Sequence, residues 1–195
     1  MADKPTICNR ALAAIGVTDR ISSIDEGTPE ADLCKLHYDE VLREVLRVYP
    51  WNFARTFKNL GGPVETDLPP HWSHAYQLPP DCLRVWRVYG ASGSEVVEPG
   101  AWVRAGPRIF INEDGPVIEY IRDEPDAGLY DSLFVAAVVA RLGAELALGL
   151  AESRTMAAEM LSIFERRLME ARSVDSAENA PERRRSGGWE TAHLE

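Results

Sequence analysis

His71 and His74, in the run His71-Trp72-Ser73-His74, are the closest histidine pair in this chain and could offer two nitrogens to a metal ion. A structural zinc site needs four nitrogen or sulfur ligands. Cys82 is the nearest candidate, and no second cysteine or further histidine closes the set, so the pair reads as loop histidines beside an anchoring Trp72. Cys34 and His37 stand three residues apart, as a nucleophile and its base would on one helix face. Both, however, fall in a packing stripe and read as a core thiol and a boundary histidine. Asp123 and Glu124 precede Pro125 and could be imagined as a general acid and base; carboxylates ahead of a proline read first as a solvated turn. The sequence holds no G-x-S-x-G elbow, H-E-x-x-H helix, phosphate loop or dinucleotide fingerprint. The expectation is a protein with no catalytic residues, no metal and no cofactor.

A different chemistry is concentrated at the C-terminal end. Arg183, Arg184 and Arg185 form the one basic run in an acidic chain, and Trp189 follows two glycines. Arginine and tryptophan are over-represented among the residues that dominate protein interfaces, and a flexible segment can lay them across a partner as it orders. These four residues are the candidate binding site for a partner or a neighbouring subunit.

The elements that would carry such a site follow from periodicity and capping. Residues 4–15 should form a short helix capped by Asp3 and ended by Gly16. The clearest element starts at Thr28. Thr28 can cap, Pro29 suits the first turn, and Glu30 and Asp32 place negative charge at the positive end of the helix dipole. Leu33, Cys34, Tyr38, Val41, Leu42, Val45, Leu46 and Tyr49 recur at three- and four-residue steps, with charged residues opposite. Pro50 ends this helix and should turn Trp51 and Phe53 into an aromatic corner. Leu42, Leu46, Trp51, Phe53, Leu133, Phe134 and Leu142 are the expected core anchors.

From Gly61 to Gly128 the composition changes, with nine of the thirteen prolines in that span. Residues 83–88, 108–111 and 117–122 read as short strands. An apolar helix is expected from Asp131 or Ser132 to about Leu148, interrupted by Arg141 and Glu145 at i, i+4 spacing. That charged pair argues for a core helix over a membrane span. Ser153 should cap a last helix to about Ser173. The expected fold class is mainly α: a bundle of about four helices formed by residues 1–60 and 129–173, a small antiparallel β-rich insertion at 61–128, and an extended C-terminal tail at 174–195.

The formal charge of −10 disfavours wrapping of nucleic acid through phosphate contacts, which needs a concentrated basic surface. It is compatible with a channel wall past which DNA slides. Three widely spaced cysteines without a C-x-x-C pattern, and no apolar segment of signal-peptide type at the N-terminus, lead to an expectation of free thiols and cytoplasmic synthesis.

Several stretches taken in order resemble the head-to-tail adaptor proteins of tailed bacteriophages, in particular the tail tubular protein A family of short-tailed phages and their prophage relatives. They are Ile7-Cys8-Asn9-Arg10-Ala11-Leu12 with Ile15-Gly16, the helix and aromatic corner from Thr28 to Ala54, the run from Tyr76 to Val88, the alanine- and leucine-rich helix from Leu133 to Leu150, and Ala171-Arg172 with the late Trp189. The resemblance implies a non-enzymatic virion protein at the head-tail junction. Its subunits would form a ring, twelve as the family implies, beneath the portal. That ring would extend the DNA conduit and dock the next tail or nozzle protein, without sequence-specific DNA binding or a membrane. It also implies that the C-terminal region, with Arg183 to Arg185 and Trp189, reaches towards the portal. Alternative readings are a connector or stopper of a long-tailed phage, and a helical binding module outside any virion.

Overall fold

The computed structural model of the protein describes residues 3–96, 98 and 100–178. Helix α1 (Lys4–Ala14) opens with Asp3 accepting a 2.8 Å hydrogen bond from the Thr6 amide, and Gly16 ends it with φ +82°. Left-handed backbone of this kind strains any residue with a Cβ, which is why glycine stands there. The connector to the next helix is fastened by one side chain: Asn9 donates to the Ile21 carbonyl and accepts from the Ile21 amide, both at 2.8 Å. Ile21 is thereby delivered into the helical core.

Helix α2 (Pro29–Val48) is capped by Thr28 and terminates where Pro50 forces Tyr49 into extended backbone. Three strands then precede a hairpin whose first strand is the fourth. The four are β1 (Arg55–Asn59), β2 (His74–Gln77), β3 (Cys82–Tyr89) and β4 (Trp102–Ala105), and β4 pairs with β5 (Arg108–Ile111) through a two-residue turn at Gly106-Pro107. Strand β6 (Val117–Arg122) follows, then helices α3 (Ser132–Gly149) and α4 (Arg154–Glu178). Asp131 caps α3 through the Leu133 and Phe134 amides, and the Ser153 hydroxyl caps α4 through Met156.

The expected mainly α bundle with a small insertion is overturned. Among the described residues the fold is a mix of α and β, 44% helical and 18% strand, with the strands in two three-stranded antiparallel sheets. One sheet has the order β1-β6-β3 and the other β2-β5-β4. The β part begins earlier than residue 61, because Arg55–Asn59 pairs residue for residue with β6. Strands β1, β2 and β4 escaped the sequence reading for a physical reason. They are four or five residues long, and β1 is an edge strand with no alternation of buried and exposed positions to betray it.

Two cores organise the chain. The helical core gathers α1, α2 and α4 around α3, and takes in Ile121 from β6. The second lies between the sheets, with Tyr76, Ile109 and Ile111 from one facing Val85, Val88, Ile118 and Tyr120 from the other. A pair of arginines couples the layers: the Leu83 carbonyl accepts from Arg47 of α2 at 3.0 Å and from Arg104 of β4 at 2.9 Å. Helix α3 is long and apolar enough to cross a membrane by length and composition, but 61% of that stretch is buried inside the protein. Its Arg141 bridges Glu145 at 2.5 Å and Glu44 of α2 at 3.0 Å. Helix α4 runs five residues past the expected end at Ser173, as far as Glu178, with its last turn bound to the aromatic corner.

Candidate interaction surfaces

The residues singled out for possible chemistry are dispersed. His74 Nε2 lies 3.0 Å from Asp114 on the rim of the β2-β5-β4 sheet, and Cys82 is buried between the sheets, its thiol pushed up by burial. Cys34 points into the helical core, where its sulfur accepts from the Cys8 thiol. That hydrogen bond, followed by burial, pushes Cys8 up and holds it protonated. His37 is half-buried on the same helix. Asp123 and Glu124 part company: Asp123 pairs with Arg43 at 2.7 Å, whereas Glu124 is buried and pairs with Arg122. The expected solvated turn is therefore a structural joint at Glu124, whose carboxylate also accepts from the Asp126 amide at 3.0 Å and whose carbonyl accepts from the Tyr130 hydroxyl. Among the described residues, no group of three or more His, Cys, Asp or Glu side chains is placed to hold a metal ion.

The core anchors sit together. Leu42, Leu46, Trp51, Phe134 and Leu142 are buried in the helical core, and Phe53 and Leu133 are partly buried against it. Trp51 donates its Nε1–H to the Val45 carbonyl at 2.9 Å and meets Tyr49, Phe53 and Phe134 ring to ring. The candidate binding residues Arg183, Arg184, Arg185 and Trp189 lie outside the described residues.

What leads up to them is well placed, and no sequence signal exposed it. Asp175, in the last turn of α4, accepts from the Asn52 backbone amide at 3.1 Å, and the Asn52 side chain donates to the Asp175 carbonyl at 3.0 Å. The other carboxylate oxygen of Asp175 is buried without a hydrogen-bond partner. Burial pushes Asp175 up from the ordinary carboxylate range, against the Asn52 amide and Arg55, while the charges of Glu178 and Asp131 raise it further. A carboxyl with a raised pKa in the fold binds its proton more tightly folded than unfolded. This group therefore adds stability as pH falls through its raised pKa towards the unfolded value, and its ionisation costs stability at neutral pH. Asp3, Asp25 and Glu26 have lowered values and act in the opposite sense. Asp175→Asn is expected to raise the thermal midpoint by a few degrees at pH 7, with the gain shrinking towards pH 4, as followed by circular dichroism. A lower midpoint at pH 7 would mean that the carboxylate outweighs its burial cost.

Two surface depressions stand out. The larger, about 680 Å³, runs between the start of α1, the middle of α2 and the loop after β6. Both cations in its walls are paired, Lys4 with Asp39 and Arg43 with Asp123, each at 2.7 Å, while Asp3 and Asp126 accept from the Thr6 and Gly128 amides, over an apolar floor that includes Tyr38 and Leu42. The smaller, about 400 Å³, is mostly apolar and lies on the β1-β6-β3 sheet, lined by Phe57, Tyr89, Val117 and the loop residues Gly90, Ala91 and Gly93. Phe57 is 60% exposed there. Met169 of α4 and Leu36 of α2 are further large apolar side chains in solvent.

Charge is unevenly divided. Residues 1–54 and 123–178 carry twenty acidic and eleven basic side chains, whereas residues 55–122 carry eight and seven. The acidic excess belongs to the helical part, and the sheets are close to neutral. Neither a protein-family model nor a curated protein sequence matches the chain. Fold and surfaces together define a protein of mixed α and β structure with two cores, an acidic helical part and isolated exposed apolar side chains.

Proposed function

We propose that this chain is a structural subunit of a ring at the head-to-tail joint of a tailed bacteriophage, seated beneath the portal and extending the DNA conduit towards the next tail component. The observation that carries the reading is the division of labour on the surface. Charged groups in the 680 Å³ depression are spent on ion pairs and backbone caps, while apolar side chains such as Phe57 and Met169 stand in solvent. Such a surface suits contact with other macromolecules better than conversion of a small molecule. The order of sequence features shared with the adaptor family gives the partners their names.

In this reading the work is mechanical and electrostatic, and the chain is not an enzyme. A head-to-tail contact that closes on itself generates the ring, with twelve copies as the family implies. Twelve copies at −10 each bring roughly −120 to the assembly, concentrated on the helical part, and an acidic lumen lets DNA pass without sticking. Arg183, Arg184, Arg185 and Trp189 supply contacts to the portal or to a neighbouring subunit. The ring belongs to the virion and its subunits are made in the host cytoplasm.

The test is truncation after Glu178, which spares the Asp175–Asn52 clamp that a cut at Val174 would destroy. The shortened chain is expected to keep its helical circular dichroism and to assemble on portal at least about 100-fold more weakly, the loss of an Arg/Trp anchor set that holds portal directly or holds the neighbouring subunit in the ring. Unchanged portal affinity in a binding titration would remove the tail from the interface.

A further inference from the structure

The β1-β6-β3 sheet continues beyond the helices that cover it. Paired residues of antiparallel strands share a face, so Arg55 and Ile121, Phe57 and Glu119, and Asn59, Val117 and Tyr89 lie on one side of this sheet. At the Ile121 end that side is sealed by the helical core, and at the other end it opens into the 400 Å³ hollow floored by Phe57, Tyr89 and Val117. Carboxylates adjoin its lining residues: the Glu113 side chain packs beside Gly90, and Asp114, which pairs with His74 at 3.0 Å yet stays 85% exposed, precedes Gly115. An apolar floor with an acidic rim fits a large aromatic ring that arrives with cations nearby.

The chain holds one segment of that description, Arg183-Arg184-Arg185-Ser186-Gly187-Gly188-Trp189. It begins five residues after α4 ends at Glu178, next to β1. Asp175 and Glu178 hold Asn52 there, and Asp175 lies within the field of Arg55, two strand positions from Phe57. Trp189 lies eleven residues beyond Glu178, a span of at most about 35 Å when fully extended. That is comparable with the spacing between adjacent copies of a chain of this length, whose radius of gyration is about 16 Å.

We propose that the hollow formed by Phe57, Tyr89 and Val117 is the socket for Trp189 of a second copy of this chain, with Arg183 to Arg185 paired to the Glu113 and Asp114 rim. The proposal rests on the ring reading and assigns the tail to the neighbouring subunit. One patch on each copy then serves as socket and one segment as plug, the unlike-to-like contact that a closing ring repeats. Burying an exposed phenylalanine against an indole, with rim carboxylates facing arginines, places the aromatic and arginine anchors in the centre of the contact.

Disulfide trapping in the full-length protein tests this. Trp189→Cys on one chain and Ala91→Cys on another, mixed and oxidised, are expected to give a covalent dimer, because Ala91 lines the hollow. Trp189→Cys with Leu36→Cys, on the outward face of α2, should not. Adding Phe57→Glu to the Ala91→Cys chain, at a side chain that the fold leaves in solvent, is expected to slow trapping at least tenfold. An internal disulfide in a chain carrying both Trp189→Cys and Ala91→Cys at high dilution, or equal trapping at Leu36, overturns the proposal. So does the absence of any dimer from a chain that docks normally on portal, which leaves the adaptor reading standing. Trapping by a chain that ignores portal sustains the socket and removes the adaptor reading.

Discussion

Trp51→Ala is expected to cost about 3–5 kcal/mol and to leave a large part of the population unfolded at 37 °C. Trp51 is 1% exposed and sits where the chain turns from α2 into the sheet. Removing it opens a cavity between Tyr49, Phe53 and Phe134, whose rings lie 4.9, 6.4 and 5.0 Å from its own. It also strands the Val45 carbonyl, which accepts the indole N–H in the last turns of the helix. Three losses coincide at one residue: transfer energy, ring packing and a buried hydrogen bond. Trp51→Phe should recover about half of the deficit, since the ring contacts partly survive while the N–H does not. Urea unfolding of the three proteins checks this, and a Trp51→Ala loss below about 1 kcal/mol would mean that the corner is not the keystone described.

Arg55→Ala is the second large effect, about 3 kcal/mol, because it removes the cation in direct contact with Glu119 and leaves only the more distant Arg87. Glu119 is 2% exposed in the middle strand of its sheet, with Arg55 at 3.1 Å and the Tyr89 hydroxyl donating at 3.0 Å. Taking the charge off instead should be far milder. Glu119→Gln keeps an acceptor for Tyr89 and removes the carboxylate that needed Arg55, so Arg55→Ala made in that background should cost less than about 1 kcal/mol. A double-mutant cycle by chemical denaturation reads the coupling, and additive losses would show that Arg55 acts through other contacts. The pair also fastens β1 to β6, next to the proposed socket, so the cycle reports on the rigidity of that floor.

The helices were legible because each carried its own signals. Asp3, Thr28 and Asp131 mark starts with side-chain caps, Gly16 and Pro50 mark ends, and the stripe from Leu33 to Tyr49 marks the buried face of α2. Those signals are local, and local physics decides them. The sheets were only half legible. Arg108 to Ile111 and Val117 to Arg122 are buried runs that announce themselves, whereas Arg-Thr-Phe-Lys-Asn becomes a strand only because β6 lies alongside. Edge strands draw their stability from a partner distant in sequence, so β1, β2 and β4 had no pattern of their own to show. The same holds for the surfaces. Phe57 is unremarkable as a residue type and becomes a socket floor only when Tyr89 and Val117 come beside it. Glu124 read as a solvated carboxylate because nothing near it in sequence foretells burial against Tyr130 and Arg122.

The last turn of α4 is a related case. The apolar period fades after Leu168, yet Asp175 holds the helix to Asn52 across 123 residues of sequence. That clamp fixes the position of Glu178, the last described residue of the helix, against Asn52.

The most direct measurement is electron microscopy of the protein mixed with a portal protein encoded beside it. The account predicts closed rings stacked coaxially on the portal, about twelve subunits around, with density crossing from each subunit onto its neighbour at the β1-β6-β3 sheet. Subunits that stay monomeric and leave the portal bare at concentrations where both are abundant would contradict it.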